Sequence, residues 1–67
     1  MKTISLRAAR VNAGLRQSDV ERKLGYSRST LTRWETGKCM PRADALRALC
    51  RLYGTPEENI RLKNGEG

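Results

Sequence analysis

The spacing of apolar residues along the chain predicts an all-α fold. Apolar positions recur three or four residues apart, which places them on one face of a helix, and no segment alternates as a strand does. A glycine follows each of the first four segments with this spacing. The pattern predicts helices over residues 5–13, 17–24, 28–35 and 42–53, and a short fifth helix that begins near residue 56.

The fourth and fifth predicted helices complete the apolar side of the domain. The fourth has the clearest amphipathic pattern, and its apolar face holds Leu46, Leu49, Cys50 and Tyr53. Residues 55–58 read Thr-Pro-Glu-Glu, which is a capping box with proline at the first helical position. We therefore expect a short fifth helix that buries Ile60.

An arginine interrupts the apolar face of the first predicted helix. The other residues on that face are Leu6, Ala9 and Ala13, and Arg10 lies among them. In the third helix, Glu35 follows a core position by four residues and is therefore turned inward as well. Because a buried charge needs a partner of opposite sign, we expect an Arg10–Glu35 ion pair that ties the first helix to the end of the third.

The second and third predicted helices are joined by a short turn. Each has a narrow apolar stripe, made of Val20 and Leu24 in the second and of Leu31 and Trp34 in the third. Gly25 can adopt the positive φ that ends a helix, and the hydroxyl of Ser27 can cap the helix that follows. These features predict a tight bend between two short helices.

The outward positions of the third helix are polar and basic. Once its apolar stripe is committed to the core, the residues left outside are Arg28, Ser29, Thr32 and Arg33. Two guanidinium groups and two hydroxyls suit the base edges and phosphates of a DNA major groove. The second and third helices are therefore predicted to form a helix-turn-helix that reads bases with these four residues.

Composition agrees with a polyanionic partner. The chain has 67 residues, with 14 Lys and Arg against 7 Asp and Glu, a net charge of +7 and a pI near 10.3. This length predicts one compact domain over residues 1–67, with its core at about 5–62 and a frayed tail at 63–67. No apolar run approaches a spanning helix and the first ten residues lack a signal peptide's apolar region, so we expect a cytoplasmic protein without a membrane partner.

Cysteine usage and the absence of histidine argue against a metal or an enzyme. Cys39 and Cys50 alone provide too few soft ligands for a four-coordinate site, so we expect no metal. Cys50 fits the apolar face of the fourth helix, whereas Cys39 lies in a basic loop where a redox-sensitive thiol is the alternative to a plain exposed one. No nucleophile and base are paired in the pattern, so we expect no catalysis, no cofactor and no small-molecule ligand.

A set of residues spread over most of the chain carries a family resemblance. They are Arg10, Gly14, Leu15, Gln17, Leu24, Gly25, Ser27, Thr30, Leu31, Glu35, Gly37, Lys38, Pro41 and Leu46. Their joint spacing resembles the five-helix DNA-binding domain of phage repressors and Cro proteins, the lambda-repressor-like or XRE family, over about residues 6–60. The resemblance implies that Gln17 binds a phosphate, that Thr30 lies against the sugar-phosphate backbone, and that Arg10 pairs with Glu35.

The same resemblance places Lys38 and Arg42 against the sugar-phosphate backbone. The full set predicted to contact phosphates is Arg16, Gln17, Ser27, Thr30, Lys38 and Arg42. A single domain of this size reads few base pairs, so we expect a homodimer at least on DNA, with Tyr53, Ile60 and Leu62 as the contact between copies.

Two positions depart from the family pattern. Glu21 stands where relatives usually carry a small residue, and its carboxylate either reaches solvent between slightly separated helices or joins a nearby arginine. Arg16 stands at a cap position where relatives often carry serine, threonine or asparagine. A cation there opposes the helix dipole, so it is either simply solvated or placed to meet a DNA phosphate.

These observations predict a sequence-specific regulator of transcription that binds double-stranded DNA, with a Cro-like repressor on a palindromic operator as the specific form. The alternative is a small antitoxin, an interaction module that also regulates its own promoter. Exposed apolar surface on the fourth and fifth helices, or a neighbouring toxin gene, would favour that alternative.

Overall fold

The computed structural model describes residues 3–62. Its helices are α1 (Leu6–Asn12), α2 (Gln17–Leu24), α3 (Arg28–Thr36) and α4 (Ala43–Tyr53), followed by a single 3₁₀ turn (Glu57–Asn59). The four predicted helices before residue 54 are confirmed, and their ends agree with the prediction within one residue. The predicted tail at 63–67 lies outside the described residues.

The prediction of a fifth α-helix is wrong. Only one 3₁₀ turn forms there, and Pro56 precedes it in extended conformation, with φ −61° and ψ 147°, so it does not occupy the first helical position. The chain then leaves the turn to form a parallel bridge between Ile4 and Ile60. The amide of Ile4 donates to the carbonyl of Asn59 at 2.8 Å, and the amide of Arg61 donates to the carbonyl of Ile4 at 2.8 Å. These bonds use backbone groups that a longer helix would need for itself.

The core lies where α1, α3 and α4 meet and α2 packs on α3. Its largest fully buried side chains are Val20, Leu31 and Leu49, and Ala9 has no exposed surface. Ala13, predicted to face inward, is exposed, because α1 ends at Asn12 and Ala13 is already its C-cap. The predicted apolar face of α1 is therefore one turn too long.

Four of the predicted core residues are only half-buried, namely Leu24, Trp34, Leu46 and Ile60. Ile60 packs against the edge of the core from the extended segment after the 3₁₀ turn. Trp34 packs against the core and also meets Tyr26 edge to face, with ring centroids 5.0 Å apart at an angle of 72°. Tyr26 lies in the turn before α3, so this contact anchors the turn against α3.

The bend between α2 and α3 forms as the sequence predicts. Gly25 ends α2 with φ +81°, and its amide donates to the carbonyl of Glu21 at 2.8 Å. The hydroxyl of Ser27 accepts a hydrogen bond from the amide of Thr30 at 3.2 Å and caps α3. A β-carbon at residue 25 would meet no atom within 4 Å, so the left-handed backbone, not lack of space, is what favours glycine there.

The two cysteines differ as predicted. Cys50 is buried on α4, and burial raises the pKa of its thiol, whereas Cys39 is exposed in the loop after α3. Within residues 3–62 no helix combines the length and the apolar character that crossing a membrane requires.

We expect stability at high pH to depend on Tyr53. Burial raises the pKa of this phenol from 10.0 to about 12, and the nearby carboxylate of Glu35 adds to the shift. The folded protein therefore keeps the proton longer than the unfolded chain, so the stabilisation is fully present below about pH 10 and is lost as the pH rises through about 12. A pKa difference of this size between the folded and the unfolded protein corresponds to about 2 to 3 kcal/mol of unfolding free energy.

Urea unfolding between pH 9 and pH 12 checks this expectation, and Tyr53→Phe is the matched control because it keeps the ring but cannot titrate. As the pH rises, the unfolding free energy of the wild type should fall relative to that of Tyr53→Phe. Parallel loss of stability in both proteins would show that Tyr53 is not responsible.

Candidate nucleic-acid interface

One face of α3 is exposed and carries the four residues predicted to read bases. Arg28, Ser29, Thr32 and Arg33 are all exposed, because the opposite side of the helix is anchored by buried Leu31. Together with Thr36 and Lys38 they line a shallow cleft of about 590 Å³, called here the α3 cleft. The structure thus brings Lys38, from the loop after α3, beside the predicted base-reading residues.

Glu21 joins an arginine, which settles the alternatives left open by the sequence. Its Oε2 accepts a hydrogen bond from the backbone amide of Arg28 at 2.9 Å, and its Oε1 lies 3.4 Å from Nη2 of the same residue. The Glu21 side chain remains 34 % exposed. A carboxylate at the first amide of α3 is favoured by the helix dipole, so Glu21 stabilises the start of the helix and holds Arg28 close to it.

Gln17 connects α2 to α3 at the edge of this face. Its Nε2 donates to Oγ1 of Thr32 at 3.2 Å and to Oε1 of Glu35 at 3.2 Å. Both protons of the side-chain amide are therefore used within the chain. The backbone amide of Gln17, in the first turn of α2, has no acceptor inside its own helix and is the donor left for an anion.

Arg10 and Glu35 lie in direct contact beneath the interface. Nε of Arg10 donates to Oε2 of Glu35 at 2.7 Å and Nη2 donates to Oε1 at 3.3 Å, with side chains 11 % and 8 % exposed. Nη1 of Arg10 also donates to the carbonyl of Leu15 at 3.0 Å. One guanidinium therefore joins α1, the loop that follows it and the last part of α3.

The residues predicted to hold phosphates fall into two groups. Arg16 and Gln17 line a second cleft of about 300 Å³ together with Arg28, called here the α2 cleft, while Lys38 lines the α3 cleft. Arg42 is exposed as the N-cap of α4 but lines neither cleft. Basic groups from α2 and from the loop after α3 thus stand beside the exposed face of α3.

The hydroxyls of Ser27 and Thr30 are engaged with each other. Their oxygens are 2.9 Å apart, and the Ser27 oxygen also lies 3.2 Å from that of Ser29. Ser27 is exposed and Thr30 is half-buried. This hydroxyl cluster surrounds the start of α3, where Glu21 and Ser27 already accept from the amides of Arg28 and Thr30.

A model of the helix-turn-helix domain family matches residues 4–62, a range that includes all four α-helices. The chain belongs to the helix-turn-helix domain family. No curated protein and no solved structure matches the chain significantly. Membership of this family supports a DNA-binding regulator, and domains of this kind are typically not enzymes.

Asp19 caps the start of α2, a contact that was not predicted from the sequence. Its Oδ2 accepts from the backbone amide of Arg16 at 2.8 Å and its Oδ1 lies 2.8 Å from Nη2 of Arg22. The bond from Arg16, followed by that from Arg22, lowers the pKa of the Asp19 carboxyl. An acid three residues after the cap position is the signal that identifies this contact, and it offsets the cationic cap at Arg16.

Two further arginines of the helix-turn-helix domain lie close to the interface without a sequence signal. Arg7 and Arg61 line a cleft of about 600 Å³ that also borders Gln17, Thr32 and the Arg10–Glu35 pair. Arg61 reaches this place because the bridge to Ile4 draws the chain back to α1, which the local sequence around residue 61 does not reveal.

One of the three residues predicted to join two copies is buried within its own domain. Tyr53 is only 7 % exposed and belongs to the core of its own helix-turn-helix domain, so it has little area to offer a second molecule. Ile60 and Leu62 are half-buried and retain some exposed area.

Proposed function

We propose that this helix-turn-helix protein is a sequence-specific regulator of transcription, with α3 lying in the major groove of its operator. The observation that carries the proposal is the exposed face of α3, where Arg28 and Arg33 flank polar side chains on one side of the helix. Arginine donates two parallel hydrogen bonds to N7 and O6 of guanine, so these two residues are assigned to bases.

The surrounding cations are assigned to phosphates. Arg16 and Gln17, whose backbone amide is assigned to a phosphate, line the α2 cleft, and Lys38 lines the α3 cleft. Arg42 extends the basic surface beyond the α3 cleft. Phosphate contacts of this kind fix the position of a protein on the duplex, and a net charge of +7 favours the encounter.

Regulation would follow from occupancy of the operator. We assign the protein to Cro-like repressors, in which two copies bind a palindromic site and exclude other proteins from it. The surface around Ile60 and Leu62 is the candidate contact between the copies. A dimer is favoured because one α3 spans only a few base pairs, and two-fold symmetry doubles the sequence that is read.

Selection from random DNA duplexes tests this function. Purified protein should enrich a near-palindromic sequence, and a promoter that carries this sequence should be repressed in a reporter strain that expresses the protein. Recovery of unrelated sequences after repeated rounds of selection would contradict sequence-specific binding, and enrichment without repression would contradict the repressor assignment.

We expect Lys38→Ala to weaken binding to specific and random duplexes by a similar factor. Removal of one phosphate contact should also reduce the steepness of the slope of log K against log salt concentration by about 0.9 for each protomer bound. Titrations at several salt concentrations measure both quantities. Lys23→Ala is the matched control, because Lys23 is an exposed lysine that lines neither the α2 cleft nor the α3 cleft. Equal salt slopes in wild type and Lys38→Ala would remove Lys38 from the phosphate contacts.

The antitoxin alternative has no comparable support. Exposed apolar surface on α4 and the 3₁₀ turn would favour it, whereas the large exposed hydrophobic residues among residues 3–62 are Val11 on α1 and Met40 in the loop before α4. We therefore propose the regulator alone.

A further inference from the structure

Two threonines on the exposed side of α3 have hydroxyl groups that are already bound within the chain. Oγ1 of Thr36 donates to the carbonyl of Thr32 at 2.8 Å, which is the usual bond of a helical threonine to the preceding turn. Oγ1 of Thr32 accepts from Nε2 of Gln17 at 3.2 Å and is therefore turned toward α2. Since the methyl and the hydroxyl branch from one carbon, each methyl points away from the bond that its hydroxyl makes.

The α3 cleft has the surface that this arrangement predicts. All six residues that line it are of polar types, yet most of its surface is carbon. The carbon atoms that these residues can offer are the two threonine methyls and the methylene groups of Arg28, Arg33, Lys38 and Ser29. The cleft therefore presents a carbon surface together with the positive charges of Arg28, Arg33 and Lys38.

A carbon surface beside two arginines suits one feature of the major groove. Guanine, cytosine and adenine carry no methyl group there, whereas thymine presents its C5 methyl group beside O4. A phosphate would gain nothing from the methyl groups. The chemistry of the cleft therefore matches a thymine methyl placed close to the guanines that arginines recognise.

We propose that Thr32 and Thr36 determine specificity by apolar contact with the methyl group of a thymine in each half-site. The inference rests on the proposed function, because it requires α3 in the major groove. Thr32 lies one helical turn after Arg28 and next to Arg33, so the thymine lies near a guanine in the same half-site. The hydroxyl of Thr32, which was predicted to contact bases, instead holds its methyl group in place, and the hydroxyl of Thr36 does the same for its own methyl.

Uracil substitution tests this inference directly. Each thymine of the selected operator is replaced in turn by uracil, which removes the methyl group and leaves every hydrogen-bonding atom unchanged. At one thymine of each half-site, we expect the substitution to weaken wild-type binding about fourfold, the factor for one buried methyl group.

Isosteric variants then identify the residues that make the contact. Thr32→Ser and Thr36→Ser keep the hydroxyl and lose the methyl, so at least one of them should bind the thymine and uracil operators equally. Thr32→Val and Thr36→Val keep the methyl and should retain the about fourfold preference for thymine. Both positions are exposed, so these substitutions leave the core intact.

Several results would overturn the inference while leaving the regulator in place. They are an operator without thymine in its half-sites, equal wild-type affinity for every uracil-substituted operator, and a thymine preference that survives in the Thr32→Ser/Thr36→Ser double variant. Loss of the preference in the valine variants would assign recognition to the hydroxyls instead. Failure to enrich any operator would reject the proposed function itself and this inference with it.

Discussion

Replacing Arg10 or Glu35 singly by alanine is expected to lower the free energy of unfolding by about 3 kcal/mol or more, since each change strands a nearly buried charge. The two side chains are 11 % and 8 % exposed and their closest atoms are 2.7 Å apart. Arg10→Ala also removes the donor of the Leu15 carbonyl, and Glu35→Ala removes an acceptor of Gln17. Urea unfolding followed by circular dichroism measures these losses.

The double variant is expected to lose less stability than the sum of the single variants, because neither charge is then left without its partner. Arg22→Ala is the matched control. Its ion pair with Asp19 is nearly as short, at 2.8 Å, but the Arg22 side chain is 75 % exposed. We expect that change to cost at most about 1 kcal/mol. Strict additivity of the Arg10 and Glu35 changes would show that the pair contributes no coupling energy.

The bend between α2 and α3 could be predicted because its causes are local. Apolar spacing within each helix, the freedom of Gly25 to adopt φ +81° and the hydroxyl of Ser27 all act within a few residues of one another. The outward face of α3 follows directly, because committing Leu31 to the core fixes the direction of its neighbours.

The segment after α4 could not be predicted because a distant residue decides it. The Thr-Pro-Glu-Glu pattern favours an α-helix, but Ile4 takes up the carbonyl of Asn59 and the amide of Arg61 from 55 or more positions away. A single bridge leaves no alternating pattern in the sequence. The contact of Glu21 with Arg28 could not be predicted for the same reason, because it depends on how closely α2 and α3 approach each other.

Threonine chemistry shows the limit of reading a candidate site from residue types. Thr32 was assigned to bases because its hydroxyl can donate and accept, but that hydroxyl is turned toward Gln17 of another helix. Which branch of a threonine is offered to a partner depends on its rotamer, and the rotamer depends on tertiary contacts. The exposure of Arg28, Ser29, Thr32 and Arg33 could be predicted from the apolar pattern, whereas the direction of the Thr32 hydroxyl could not.

Loss of the guanine contacts is the largest effect expected on DNA binding. Each guanine read by Arg28 or Arg33 should contribute about 1 to 3 kcal/mol of discrimination, and a two-fold operator repeats each contact. Arg28→Ala or Arg33→Ala in both protomers should therefore weaken operator binding by about 2 to 6 kcal/mol. Half-sites one turn apart, about 34 Å centre to centre, are expected, with cooperative occupancy by two copies.

Matched lysine variants separate the effect of positive charge from the recognition of guanine. Arg28→Lys and Arg33→Lys keep the positive charge but lose the two parallel donors, so binding to random duplexes and its salt slope should be preserved while the preference for guanine falls. The guanidinium of Arg28 lies 3.4 Å from the Glu21 carboxylate. To bind a base, Arg28 must either turn away from Glu21 or use the donors that do not face it. Footprinting and competition with operators substituted at guanine measure these effects. An asymmetric site occupied by one protein molecule, or unchanged guanine preference in all four arginine variants, would refute a dimer that reads guanine with Arg28 and Arg33.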